Sequence, residues 1–384
     1  MKLQCEREAL AEALTTVGRA VSTKATLPIL GNVLLEAEPV GALRLVTTNL
    51  DLTISRRIPA GVSVPGRITV PARLLSDYVA LLDKSKQVSL SVGSKGGKLH
   101  LLCERYEANI ATLPADDFPA VPATDREPCL EVDGAILKAA IDQVVFAVAP
   151  DDTRPVLAGV LIRLEAGNLT LAAADGFRLA VRSVEMPRTG ASSAWIVPAR
   201  TLLEVSRCLL PVPGLPVALR GSVTDHHLHI GMGNTEITTR LIEGQFPDYE
   251  RIIPRDCATT VIINSADFLR ATRVASVFAR DNAHIVRLEC TPSVEDGALI
   301  PGRVTVASTS AELGDNAGQL EANVSGDDVQ IAFNGRYLRD ALEALDSPQV
   351  ALQFSGRSRP GVLRPVGELE TAYLQIIMPL HLGR

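Results

Sequence analysis

Landmarks in the first third of the chain return in the second third at a nearly constant spacing. This repeat constrains the fold more than any single motif does. Val70-Pro71-Ala72-Arg73 returns as Val197-Pro198-Ala199-Arg200, 127 positions on. Pro28, in Thr26-Leu27-Pro28-Ile29-Leu30, returns at the same offset as Pro155 in Arg154-Pro155-Val156-Leu157. Phe118-Pro119 returns as Phe246-Pro247 at an offset of 128. A unit of this length exceeds the roughly 20–50 residues of a solenoid repeat, so each copy is large enough to close its own core.

A third, fainter copy fills the remainder. Thr259-Thr260-Val261-Ile262-Ile263 followed by Ala266–Ala271 reads as an opening strand and helix. Val329–Asn334 followed by Gly335-Arg336-Tyr337-Leu338 matches the second strand and helix, with Asn334-Gly335-Arg336 where the other copies have Pro-Ala-Arg. An insertion from Pro292 to Gly302 breaks the register. The expected domains are residues 1–123, 129–254 and 258–384. Each is an α+β unit of two helices packed on antiparallel sheet.

In the first copy, Leu10, Leu14, Val17 and Val21 recur at helical spacing, which predicts a helix over Arg7–Val21. Strands are predicted over Ile29–Glu36, Leu43–Thr48 and Leu52–Pro59, and a second helix over Ala72–Leu82 behind Pro71. Val88–Val92 and Leu99–Glu104 alternate around a turn at Gly93–Gly97, and Ala108–Thr112 makes a last strand.

Composition narrows the function. The net charge is −6, whereas a free-standing nucleic-acid binder draws its affinity from a cationic excess that releases counterions. The balance still permits basic residues segregated on one surface. Cys5, Cys103, Cys129, Cys208, Cys257 and Cys290 are scattered without a CxxC pair, which reads as reduced, buried thiols. With no apolar leader at the N-terminus and no apolar run of about 20 residues, a cytoplasmic location without a membrane is expected. His226-His227-Leu228-His229 reads as a solvated hairpin strand, and Asp116-Asp117 and Asp151-Asp152 as loop or capping residues. No phosphate-binding loop, HExxH, GxSxG or paired polymerase carboxylates occur, so neither catalysis nor a cofactor or metal is expected.

Several motifs carry a specific resemblance. Ala174-Asp175-Gly176-Phe177-Arg178-Leu179-Ala180, Gln245-Phe246-Pro247-Asp248-Tyr249-Glu250-Arg251-Ile252-Ile253-Pro254 and Ile376-Ile377-Met378-Pro379-Leu380 occur in that order, behind Thr26–Asn32 near the start. In these the chain resembles the β subunit family of bacterial DNA polymerase III, the sliding clamps, over its whole length. It departs modestly: Phe177 stands where the family has His, and His381 follows the tail where a stronger base is common.

The resemblance implies a DNA clamp fold, with a head-to-tail homodimer closing six similar domains into a ring around double-stranded DNA, helices inward. Similar domains joined by similar interfaces continue with constant rotation until they close. Arg7, Arg19, Arg73, Lys138, Arg200, Arg207, Arg270, Arg273, Arg280, Arg336 and Arg339 are the candidate inner-helix cations. Lys24, Arg73, Arg154 and Arg200 are the positions assigned to DNA. Ile110 with Val277 and Phe278 is assigned to the dimer interface.

The resemblance also implies a pocket that takes short peptides from partner proteins. Carried over, it comprises Leu157, Ala174, Gly176, Phe177, Arg178, Leu179, Pro247, Arg251, Ile252, Ile376, Met378, Pro379 and Leu380, with Pro360 and Val362 at its edge. Aliphatic and Met side chains supply an adaptable apolar socket, and Arg178 and Arg251 are expected to fork onto peptide oxygens. The partners implied are the clamp loader, the replicative polymerase's catalytic subunit, translesion polymerases, and mismatch-repair and ligase proteins. The rival class is a nucleotidyltransferase with its own active site, against which the missing carboxylate pair argues. A structural repeat protein unconnected with DNA leaves the Phe246–Pro254 segment and the tail unexplained.

Overall fold

The computed structural model describes the chain except for residues 23–26, 94–96, 123–126, 152, 187–191, 210–212, 222–225, 296–297, 313 and 381–384. Among the described residues there are six α-helices, two per repeat: α1 (Arg7–Val17), α2 (Ala72–Leu81), α3 (Gly134–Val144), α4 (Ala199–Cys208), α5 (Ser265–Phe278) and α6 (Gly335–Glu343). The strand pairings among the described residues are all antiparallel, in three sheets.

The repeat landmarks have structural causes. Pro28 and Pro155 each open a short 3-10 turn, Pro28–Gly31 and Pro155–Leu157, where the fixed φ of proline suits a first helical position. Val70 and Val197 are fully buried, and the small Ala72 and Ala199 sit beside them at the helix starts. Phe118 and Phe246 are both buried anchors. In the third copy the Pro at the helix start is replaced by Asn334, whose Oδ1 accepts the Arg336 amide at 2.9 Å, a side-chain cap that Pro cannot provide. Gly335 is required there, because a Cβ would lie 2.7 Å from Val286 Cγ2.

The helices bury the periodic faces the sequence shows. α1 packs on Leu10, Ala13, Leu14 and Val17, then tightens into a 3-10 turn over Gly18–Ala20, so the α-helix ends before Val21. Arg7, placed among the inner-helix cations by the sequence, is instead buried. Its Nε donates to the Val79 carbonyl at 2.8 Å and its Nη2 to the Ala80 carbonyl. It thus closes the C-terminal turn of α2, where a cation favours the helix dipole.

Other elements also differ from expectation. Ile29 and Leu30 lie in the 3-10 turn, and the strand begins at Asn32. Two further strands, Gly61–Val64 and Gly66–Pro71, lie before α2. The insertion lengthens the strands Ile285–Glu295 and Ala298–Ser310, whose register slips between Thr291 and Ser293. Pro292 sits at the slip and has no amide hydrogen for the ladder.

The chain packs as two compact units, residues 1–138 with 200–241, and residues 139–199 with 242–384. The division cuts through the middle repeat because ladders run across repeat boundaries. In the first unit, Thr235–Arg240 pairs with Leu52–Pro59, Ile237 opposite Ile54. In the second, Arg178–Glu185 pairs with Tyr373–Ile377, Leu179 opposite Ile376.

The histidine strand is not solvated as expected. His229 is buried and its Nδ1 lies 2.9 Å from Thr238 Oγ1, while His226 precedes the strand at φ 53°. Cys5, Cys103 and Cys290 are buried, Cys129 and Cys208 half-buried, and Cys257 exposed, against expectation. Burial pushes the Cys5 and Cys290 thiols up to about 12. Asp151 Oδ1 accepts the Thr153 amide, as a loop residue does. No helix among the described residues is long and apolar enough to cross a membrane.

Candidate functional site

The Asp175–Arg178 turn builds the site. Asp175 Oδ1 accepts the amides of Phe177 at 2.8 Å and Arg178 at 2.9 Å. Gly176 adopts φ 92°, a left-handed conformation that L side chains rarely take. The turn leaves Phe177 61% exposed while Leu179, two residues on, is 1% exposed. The C-terminal segment is tied to the same turn, with the Met378 amide donating to the Phe177 carbonyl at 2.8 Å. The Leu380 amide donates to the Ala332 carbonyl at 2.8 Å, which fixes the tail's course.

The carried-over pocket residues separate into a floor and a rim. Leu157, Ala174, Leu179, Ile376 and the edge residue Val362 are buried in one cluster with Phe246 and Tyr249. Above this floor stand Phe177, Ile252 at 47% exposure and Met378 at 40%. Pro247 is exposed, and Pro360, Pro379 and Leu380 are half-buried. Phe246 meets Tyr249 edge-on at 6.3 Å between centroids, which anchors the segment that carries Pro247, Arg251 and Ile252. Burial raises the Tyr249 hydroxyl above its usual range, and that hydroxyl accepts Arg163 Nη2 at 3.1 Å.

The two arginines have different roles. Arg251 lies at the surface: its side chain is 84% exposed and pairs with Asp248 at 2.7 Å. Arg178 was expected to fork onto a peptide, but it is spent inside the fold. Its Nε reaches Asp175 Oδ2 at 3.0 Å and its Nη1 reaches Asp340 Oδ2 at 2.9 Å. The guanidinium also lies over the rings of Phe146 and Tyr337, at 5.4 and 4.5 Å. With a side-chain exposure of 11%, it would give up two charged hydrogen bonds to reach a ligand.

Among the positions assigned to DNA, Arg73 and Arg200 are exposed at the second residue of α2 and α4. Arg336 occupies the same position in α6 and is also exposed. A cation in a helix's first turn opposes the dipole, so its recurrence in all three copies is not explained by helix stability. The threefold recurrence is readable in the sequence, as Arg73, Arg200 and Arg336 at matching positions. Arg154 Nη1 lies 3.4 Å from the position of a Cβ on Gly176, at the rim of the apolar site. Lys24 and His381 fall outside the described residues.

Several of the other inner-helix cations are held by acids. Arg19 and Arg207 both pair with Glu204, Arg270 with Asp267, Arg273 with Glu343 and Arg339 with Asp340. Lys138 Nζ donates to Ser206 Oγ at 2.8 Å. Arg273, Arg280, Arg336 and Arg339 line a groove of about 530 Å³ with His284. Burial, then Arg336, Arg280 and Arg339, hold the His284 pKa below its usual range.

The proposed interface strand, Tyr106–Ala111, is an edge strand whose one ladder partner is Lys98–Cys103 among the described residues. Ile110 is buried and offers backbone rather than apolar surface, whereas Tyr106 on the same face is 52% exposed. At the end of α5, Val277 is 49% exposed and Phe278 half-buried. Beside them runs Gly314–Gly326, which pairs with Ala298–Ser310 along Gly314–Ala322. Among the described residues its other edge pairs with Thr259–Asn264 over Asn323–Gly326 alone, which leaves the rest of that edge free. No group of three or more metal-ligating side chains occurs among the described residues.

Models of the N-terminal, central and C-terminal domains of the DNA polymerase III beta subunit match residues 1–122, 131–248 and 250–381. The beta sliding clamp of Streptomyces coelicolor is 32% identical over 391 residues, covering 100% of both chains. That of Synechocystis is 34% identical over 403 residues, again covering 100% of both. The crystal structure of the DNA polymerase sliding clamp from Bacillus subtilis superposes over 100% of both chains with a TM-score of 0.91 at 27% identity. With all three domains matched and full-length relatives above 30% identity, the chain belongs to the DNA polymerase III beta-subunit family, the beta sliding clamps, which are non-catalytic processivity factors.

Proposed function

We propose that the chain encircles duplex DNA as a head-to-tail homodimer in the cytoplasm and recruits partners through the surface over Leu157, Ala174, Leu179 and Ile376. The observation that carries the recruitment reading is the exposure of three large apolar side chains, Phe177, Ile252 and Met378, around one buried floor. Apolar side chains grouped in this way mark a protein interaction site. Gly176, Pro247, Pro379 and Leu380 shape the rim, and Arg154 and Arg251 supply cations for peptide oxygens. Arg178 holds the turn rather than the ligand. The occupants are short segments of the clamp loader, the polymerase's catalytic subunit, translesion polymerases, and mismatch-repair and ligase proteins.

Closure uses the free edge of Tyr106–Ala111 against the free edge at Gly314–Ala322 of a second copy, with Tyr106, Val277 and Phe278 covering the ladder. Two unpaired edges can exchange backbone hydrogen bonds directly. Arg73, Arg200 and Arg336 face the phosphates. Several of the remaining cations are paired with acids within the fold, so phosphate contacts stay weak enough to slide and retention comes from linkage. The test is to load the protein on nicked circular and on linear DNA and raise the salt. Clamps should stay on the circle and leave the linear ends. Equal loss from both would identify an ordinary electrostatic binder.

A further inference from the structure

We propose that Asp340 on α6 is a positioning residue for the partner-binding turn, and that through Arg339 it makes peptide binding respond to DNA. The inference rests on the recruitment reading above. A continuous set of charged contacts links the two surfaces. Arg339 Nη2 donates to Asp340 Oδ1 at 2.9 Å, and Arg178 Nη1 donates to Asp340 Oδ2 at 2.9 Å. Arg178 Nε then binds Asp175 Oδ2 at 3.0 Å. The other oxygen of Asp175 holds the amides of Phe177 and Arg178, and the Phe177 carbonyl holds Met378. Every step from the cationic face of α6 to the backbone that carries the exposed side chains Phe177 and Met378 is therefore a hydrogen bond.

The sign follows from how Asp340 divides its charge. Its side chain is 26% exposed and serves a 41% exposed arginine and an 11% exposed one. Arg339 also lies 3.8 Å from Glu343 Oε1 and lines a groove together with Arg273, Arg280 and Arg336. A DNA phosphate there competes with Asp340 for Arg339. Once Arg339 turns to the phosphate, the whole carboxylate charge is left to Arg178 in a less solvated place, where a pair is stronger. Arg178 is thereby fixed more firmly in its place between Asp340 and Asp175, and the turn is better organised for its ligand. Duplex DNA in the ring should tighten partner binding.

The experiment titrates a labelled peptide, copied from the clamp-binding segment of the replicative polymerase, into full-length wild type, Asp340→Asn, Asp340→Glu and Arg339→Ala. Each is measured with and without a short duplex. For wild type, duplex should tighten binding by about fivefold, the low end of ordinary coupling. Asp340→Asn should bind several-fold more weakly and ignore duplex, with Asp340→Glu restoring part of both. Arg339→Ala should bind at least as tightly as wild type and also ignore duplex. Opposite signs from the two partners of one ion pair would not arise if Asp340 merely stabilised α6. Equal affinity of wild type and Asp340→Asn, equal losses in Asp340→Asn and Arg339→Ala, or a wild type indifferent to duplex overturns the inference. If Asp340→Asn does not fold, the wild-type and Arg339→Ala arms decide the sign. A wild type that fails to bind the peptide overturns the recruitment reading, and this one with it.

Discussion

Phe177→Ala isolates the partner-binding surface from the stability of the fold. A Phe side chain offers about 150–250 Å², and Phe177 is 61% exposed, so roughly 90–150 Å² is available for a ligand to cover. At about 25 cal/mol per Å² full coverage is worth about 2–4 kcal/mol. A peptide lies across one face of the ring, which halves the gain to about 1–2 kcal/mol, or roughly five- to thirtyfold in Kd. The backbone bond from Met378 to the Phe177 carbonyl survives the substitution, and the ring contributes little to the core. Stability should therefore change by no more than about 0.5 kcal/mol. Leu179→Ala would be a poor substitute, since Leu179 is 1% exposed and its loss would cost about 2–5 kcal/mol of folding energy. Fluorescence anisotropy with a labelled partner peptide measures the change, with melting and sedimentation as controls. A folded, dimeric Phe177→Ala protein that binds the peptide as tightly as wild type would refute the placement of the site.

Asp at both Val277 and Phe278 should yield a folded monomer by sedimentation, and a variant that stays dimeric would remove these residues from the interface. Arg7→Met should lower stability by about 3 kcal/mol, because it strips two charged hydrogen bonds from the end of α2; a change under about 0.5 kcal/mol would return Arg7 to the solvent-facing set. The buried Cys5 and Cys290 thiols titrate at about 12 in the folded chain against 9.0 when unperturbed. Only the unfolded chain ionises between those values, so stability should fall as pH rises through that window, by about 1.4 kcal/mol per pH unit for each thiol. Replacing both by Ala should flatten that limb of a denaturation series, and an unchanged slope would contradict the assignment.

The three copies, their helix pairs and the α+β class are legible in the sequence, because proline turns, buried aromatic anchors and helical periodicity act over a few neighbouring residues. Pro28 and Pro155 open the same turn for the same local reason. The pocket positions were readable as a motif, yet their chemistry was not. Arg178 and Arg251 look alike in sequence, and only the fold brings Asp340, 162 residues away, against the first of them. Arg7 likewise falls at a helix start that suggests solvent, until α2 arrives to present the Val79 and Ala80 carbonyls. The strand pairings Leu52–Pro59 with Thr235–Arg240 and Arg178–Glu185 with Tyr373–Ile377 join different copies, and no periodicity within one copy encodes its neighbour. Local propensity settles which segments become helix or strand, whereas a charged side chain's role depends on which distant polar groups share its desolvated surroundings. That is fixed only when the chain has packed.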